Sequence, residues 1–261
     1  MNNALIGDTG FIGKNLLKLC SQFTHFYNSS NIDNINYMDF DLVICAGAPA
    51  QKWQANLEPI KDYNNINKLM RNLSTIKVNL FVLISTVDVF PNPIDVYEYT
   101  KVDEINQTAY GKNRYLLERF ISSHFDKYLI IRLPGVLGPG LKKNIIYDIH
   151  NNRNIYQYNN NTTFQFYSIK NLFIDIEKAK SLNTHILHLT AEPIKVKDIY
   201  ELGFSINAPP RNNSLDVSKY DFKSIYSKKM GGDTNYLYDI DYVINEIRKY
   251  TQYEPRSKDE Y

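Results

Sequence analysis

Two cysteines in 261 residues, Cys20 and Cys45, leave this chain without a disulfide framework. Both lie in apolar stretches, a usage that belongs to a reducing compartment. No apolar run approaches the about 18 residues that a membrane span requires. The first strand pattern begins almost at Met1, so no secretory leader is read, and a cytoplasmic protein with no membrane partner is expected. Charge of one sign is also missing: 30 basic and 28 acidic residues leave a formal net charge of +2. Nothing in that balance calls for nucleic acid, which would need a concentrated basic face. The five histidines follow no metal-ligand spacing. His185 and His188 share one strand-like run and face opposite ways, so no metal is expected.

What is present is a chain with 43% hydrophobic and 22% charged residues, ample for a packed core. Short continuous apolar runs at 3–6, 41–46, 80–85 and 128–133 read as buried strands, with a shorter one near 25–27. Between them, apolar residues recur at helical spacing, as at Ile12, Leu16, Leu19, Cys20 and Phe23, and helices are expected near 58–76 and 109–123. Strands buried on both faces and alternating with amphipathic helices give the fold class: α/β, a Rossmann-type doubly wound parallel sheet. After about Pro134 the pattern weakens into short elements. The expected division is a dinucleotide-binding domain over 1–145 and, over 146–261, a smaller substrate-binding part that completes the fold.

The turn Gly7-Asp-Thr9-Gly10-Phe11-Ile12-Gly13 stands between the first strand and an amphipathic helix. In that context the spaced glycines allow a tight turn and a close approach to a pyrophosphate, while the helix N-terminus supplies N–H groups and the positive end of its dipole. Here the chain resembles the extended short-chain dehydrogenases/reductases, the family of nucleotide-sugar epimerases, dehydratases and reductases. The resemblance covers residues 1–145 well and the remainder in outline. It implies a nicotinamide cofactor held by Gly7, Thr9, Gly10, Phe11, Ile12 and Gly13, and by the small-residue turn Ala46-Gly47-Ala48. Where NAD-preferring members carry an acid at the end of the second strand, this chain has Asn28 followed by two serines. The missing acid tilts the expected cofactor toward NADP over NAD, although no arginine stands ready for a 2′-phosphate.

Thr86 closes a buried strand, and Tyr110 begins the segment Tyr-Gly-Lys-Asn-Arg114. By resemblance, Thr86 and Tyr110 match the family's catalytic hydroxyl and its proton-transferring tyrosine. Arg114 stands where the family has lysine, four residues on and so on the same helix face as Tyr110; Lys112 points elsewhere. An arginine keeps its charge, lowers the pKa of a nearby phenol and offers donors to the ribose hydroxyls, so Arg114 and Tyr110 are also expected at the cofactor, but an arginine cannot relay a proton by deprotonating. Asp88 is placed two residues beyond Thr86, on the same strand face if the strand continues; the alternative is that it orders the following loop. The family's dehydratases carry an acid pair after the threonine, and Val87 in the first of those places argues against that chemistry.

The segment from Arg132 to Asn144 resembles the family's loop after the sixth strand. That likeness places Pro134 and Gly135 beside the nicotinamide, with Lys142, Lys143 and Asn144 reaching a nucleotide diphosphate. Trp53, Tyr167 and Arg211 are further candidates for the substrate site, with core packing the competing role for the aromatic pair. Three functions remain open: reduction of a 4-keto nucleotide sugar, epimerisation with retained NAD, and dinucleotide binding without catalysis. The family's habit implies a homodimer built on the helices near 58–76 and 109–123.

Overall fold

The computed structural model describes residues 1–153, 157–210 and 215–256. The chain folds as two compact units. The first, made of residues 1–92, 98–133 and 172–188, is built on a six-stranded parallel sheet. Its strands are β1 (Asn3–Ile6), β2 (His25–Tyr27), β3 (Asp39–Cys45), β4 (Lys77–Thr86), β6 (Tyr128–Leu133) and β10 (Ile186–His188). They lie in the order β10-β6-β4-β3-β1-β2. From β1 the chain goes first to one side and then to the other, so the strand order reverses between β1 and β3. In open α/β sheets, ligands bind at the carboxyl ends of strands flanking such a reversal.

The helices of this unit are α1 (Phe11–Leu19), α2 (Lys52–Leu57), α3 (Pro59–Leu73), α4 (Ala109–His124) and α6 (Leu172–Ala179). Ile66, Leu69 and Leu73 of α3 and Leu117 and Ile121 of α4 pack on Val43, Leu83 and Ile130 of the sheet. Each such side chain contributes roughly 1.5–3 kcal/mol by leaving water. The helix expected over 58–76 is found as α3, and a further short helix, α2, precedes it. Pro59, with no N–H to donate, cannot continue α2; it opens α3 at its first turn, where that N–H is not required. The helix expected to reach Phe23 ends at Leu19, and Phe23 is buried just beyond it. Thr108 caps α4 by accepting the Gly111 N–H at 3.2 Å.

The second unit, residues 93–97, 134–171 and 189–261, contains short strands. These are β5 (Ile94–Val96), β7 (Gly135–Leu137), β8 (Thr163–Phe164), β9 (Phe166–Ser168), β11 (Ile194–Lys195) and β12 (Asp221–Phe222), which join as the pairs β7-β9, β8-β11 and β5-β12. Its helices are α5 (Ile145–His150), α7 (Val196–Asp198), α8 (Ser227–Met230) and α9 (Ile240–Tyr253). The chain visits this unit at 93–97, enters it again at Pro134, returns to the sheet for 172–188, and leaves the sheet once more at Leu189. A single boundary at 145 therefore does not describe the path. Among the described residues, no helix is long and apolar enough to cross a membrane.

Candidate active site

The glycine turn lies at the carboxyl end of β1, beside the end of β3. Gly7 adopts φ +88°, and a Cβ on it would meet the Ala46 carbonyl oxygen at 2.4 Å, so no other residue fits there. The Gly7 N–H donates to the Tyr27 carbonyl at 2.7 Å and the Gly10 N–H to the Gly7 carbonyl at 3.0 Å, tying the turn to β2. Helix α1 begins at Phe11 with Gly10 as its cap, a residue with no side chain to occupy the N–H groups of the first turn. This leaves N–H groups and a positive dipole end at the mouth of a side-chain-free cradle. Such a cradle fits the pyrophosphate of a dinucleotide, with Gly7, Thr9, Gly10, Phe11, Ile12 and Gly13 as its frame.

At the end of β2, Asn28 is committed to its surroundings. Its Oδ1 accepts from the Ser30 N–H at 3.0 Å and the Ser30 hydroxyl at 2.6 Å, and its Nδ2 donates to the Asp8 carboxylate at 3.1 Å. The acid missing from the strand end is thus present nearby, inside the glycine turn itself. In the sequence Asp8 is marked only as a turn residue, since nothing there ties it to the end of the second strand.

The second cluster gathers around Tyr110 at the first turn of α4. Thr86, the last residue of β4, accepts the Asp88 N–H at 3.1 Å with its hydroxyl oxygen, and its side chain also hydrogen-bonds the Tyr110 phenol. Tyr110 is 8% exposed. Burial pushes its phenol above the ordinary value, against the pull of the Arg114 charge, the Lys52 charge and the Thr86 hydrogen bond. Asp88 does not continue the strand, as one reading of the sequence had it. It lies in a 3₁₀ turn, Val87–Val89, and its carboxylate takes the Lys52 ammonium at 2.8 Å. The carbonyl of Asp88 presses so closely on α4 that a Cβ on Gly111 would meet it at 2.2 Å. The glycine after the tyrosine is therefore what lets this turn and α4 touch.

Arg114 does stand one turn below Tyr110, with its guanidinium 3.9 Å from the ring centroid. Its donors, however, go elsewhere. Both carboxylate oxygens of Asp62 on α3 receive them, as do the carbonyls of Pro49 and Tyr110, and Asn113 adds a further bond to Asp62 at 2.7 Å. Arg114 and Asp62 are 3% and 5% exposed, and of the guanidinium only Nε lacks a partner. The expected donation to ribose hydroxyls is not supported by this geometry. Asp62, Asn56 and Lys52 were missed because none belongs to a motif; only packing brings α2 and α3 against α4. Lys112 is exposed, as its helical position required.

In the second unit, Tyr167 is fully buried and packs edge-on against Tyr238, which removes it from the substrate candidates. Asn144 caps α5, its Oδ1 accepting from the N–H groups of Ile146 and Tyr147 at 3.0 and 3.2 Å. That leaves it a structural role. Pro134 is buried, Gly135 opens β7, and Lys142 and Lys143 are exposed. Arg211 lies outside the described residues. Trp53, 69% exposed on α2 in the first unit, is not a core residue.

No family description matches the chain's sequence, and no curated protein does. Solved structures do match in fold. The UDP-glucose 4-epimerase of Thermotoga maritima superposes with a TM-score of 0.70 at 16% identity, covering 97% of this chain and 98% of that one. A UDP-N-acetylglucosamine 4-epimerase of Methanobrevibacter ruminantium gives 0.74 at 14% identity, with 97% of each chain covered. The dTDP-4-dehydrorhamnose reductase of Bacillus anthracis, in complex with NADP, gives 0.70 at 17% identity, covering 95% and 98%. The expected fold class is therefore the observed one: over nearly its whole length, the chain has the Rossmann-type fold of these nucleotide-sugar enzymes.

Proposed function

We propose that this chain is a member of the extended short-chain dehydrogenase/reductase family and a nicotinamide-dependent enzyme acting on a carbinol or ketone of a nucleotide-activated sugar, with reduction of a 4-keto sugar as its leading reaction. The observation that carries the reading is the pairing of Thr86 with Tyr110 in the same sheet unit as the glycine cradle. When bound, the nicotinamide supplies or accepts a hydride. The chain's own residues then handle the proton. Thr86 orients the Tyr110 hydroxyl, and Tyr110 protonates the oxygen of the ketone. A phenol held above its ordinary value is fully protonated at neutral pH, which suits a proton donor and hence the reductive direction. The fold shared with a dTDP-4-dehydrorhamnose reductase supports the substrate class.

One observation favours the second reading, epimerisation with retained NAD. The Asp8 carboxylate, fixed by Asn28, sets a negative charge beside the end of β2. A ribose hydroxyl is a good partner for it and a 2′-phosphate a poor one. On this basis the lean toward NADP reverses to NAD. Apolar Trp53, Leu57 and Ile60, each more than two-thirds exposed on α2 and α3, support a homodimer formed through this side of the first unit.

The test is mass spectrometry of any dinucleotide that co-purifies, followed by incubation with a panel of 4-keto nucleotide sugars and their 4-hydroxy epimers. Net consumption of reduced cofactor supports the reductase, and interconversion of epimers without net consumption supports the epimerase. Tyr110→Phe should abolish either while leaving dinucleotide binding intact. Binding without turnover across the panel would leave the non-catalytic reading standing instead.

A further inference from the structure

Arg114 is sealed against Asp62, and a second cation, in contact with solvent, stands at the Tyr110 site. Two residues one turn apart on α2 face this site. Asn56 accepts the Tyr110 backbone N–H at 3.0 Å, fixing that face of α2 against the start of α4. Lys52, one turn earlier, bonds Asp88 at 2.8 Å. The backbone of Asp88 in turn abuts Gly111, the neighbour of Tyr110. Three elements, α2, the 3₁₀ turn and α4, thus bring Lys52, Asp88 and Tyr110 together, although the residues are far apart in sequence.

We propose that Lys52, anchored by Asp88, is the solvent-accessible cation that stabilises the Tyr110 phenolate, the part for which the sequence offered Arg114. This rests on the proton transfer at Tyr110 proposed above. In that step the Tyr110 O–H bond breaks, its proton goes to the substrate oxygen, and the negative charge stays on the phenolate until solvent returns a proton. Burial opposes that charge, and Asp88 alone would oppose it further; the Lys52 ammonium counters the two in part. Arg114 from within α4 also favours the phenolate, and more strongly, but it is fixed against Asp62 in the interior. Lys52 is 43% exposed and reaches bulk water, whereas Arg114 does not. Lys52 therefore acts through Tyr110, as an electrostatic positioning residue.

The experiment is NMR titration of protein labelled with ¹³Cζ-tyrosine, in which the Tyr110 signal is the one missing from Tyr110→Phe. Lys52→Met should raise the Tyr110 titration by about one pH unit, Lys52→Arg should restore it, and Asp88→Asn should lower it. Because Lys52 is half-exposed, the melting temperature of Lys52→Met should stay near that of the parent. An unmoved Tyr110 titration in Lys52→Met overturns the inference. With a substrate from the panel, Lys52→Met should lower kcat about tenfold with KM little changed. A KM effect without a kcat effect would also overturn it. Should the titration respond as expected while no dinucleotide binds, the electrostatic assignment stands and the proposed function falls.

Discussion

Asp62 on α3 holds Arg114 on α4 in a buried ion pair directly beneath the Tyr110 ring. The pair joins two helices packed on the sheet and is completed by Asn113 and the Pro49 carbonyl. Removing one partner leaves the other charge buried without compensation, which costs about 3–5 kcal/mol. Arg114→Met is therefore expected to lower the melting temperature by roughly 6–20 °C, at about 2–4 °C per kcal/mol for a chain of this size. Asp62→Asn leaves the guanidinium charge buried without its counter-charge and should cost a similar amount. In the double variant the losses should be far from additive. Thermal melts of the three proteins measure this, and an additive result would show that the two side chains do not act as a pair.

The Asp8 carboxylate makes a prediction about cofactor choice. A fixed negative charge beside the end of β2 should weaken binding of a 2′-phosphate, so NAD is expected to bind more tightly than NADP. Asp8→Ser removes the charge and should improve NADP binding about tenfold, or ~1.4 kcal/mol, while NAD loses a ribose partner. Titration calorimetry with both dinucleotides reads the two effects separately. Tighter binding of NADP by the unaltered protein would contradict the assignment.

The cysteines should differ in reactivity. Burial pushes the Cys45 thiol up to about 12, so at pH 8 only roughly one molecule in ten thousand carries the thiolate. Cys20, at the end of α1, is only partly buried; burial raises its thiol as well, but solvent reaches it. Iodoacetamide at pH 8 should modify Cys20 alone, with Cys45 reacting only after denaturation. Mass measurement over time decides it. Equal rates at the two positions would mean that β3 opens far more readily than its packing implies.

Much of the first unit was legible in the sequence because strands buried on both faces announce themselves as apolar runs. The runs at 3–6, 25–27 and 128–133 match β1, β2 and β6 residue for residue. β4 is longer than its apolar stretch because Lys77, Val78 and Asn79 extend it past the point where both faces are buried. The Thr86–Tyr110 pair was offered by the family resemblance, whereas the glycine turn was visible because it rests on short-range spacing. The destination of the Arg114 guanidinium was not, since it depends on how α3 packs against α4, and Asp62 has no marker in its own neighbourhood. Lys52 was invisible for the same reason. Tyr167 closes the aromatic run Phe164-Gln-Phe-Tyr167, and such a run looks the same in sequence whether it lines a site or fills a core.

Glu246 on α9 gives the second unit an acid-sensitive tie. Its carboxylate takes the Ser168 hydroxyl at 2.8 Å, the Lys170 ammonium at 2.5 Å and the Lys249 ammonium at 3.0 Å. Burial pushes this carboxyl up, but the bonds from Lys170, Lys249 and Ser168 outweigh it and hold the group below its ordinary value. A carboxylate with a depressed pKa in the folded state stabilises the fold above the unfolded value of about 4.3. That contribution is lost as the pH falls below 4.3 and through the depressed folded value. Glu246→Gln should therefore cost about 1.5–3 kcal/mol near pH 7, where the charged bonds are lost. The cost should shrink as the pH drops toward 3, because the parent protein loses the same charge. Urea unfolding of both proteins at pH 7, 5, 4 and 3 measures the difference. A penalty that stays constant across that range would mean that Glu246 holds α9 through packing rather than through its charge.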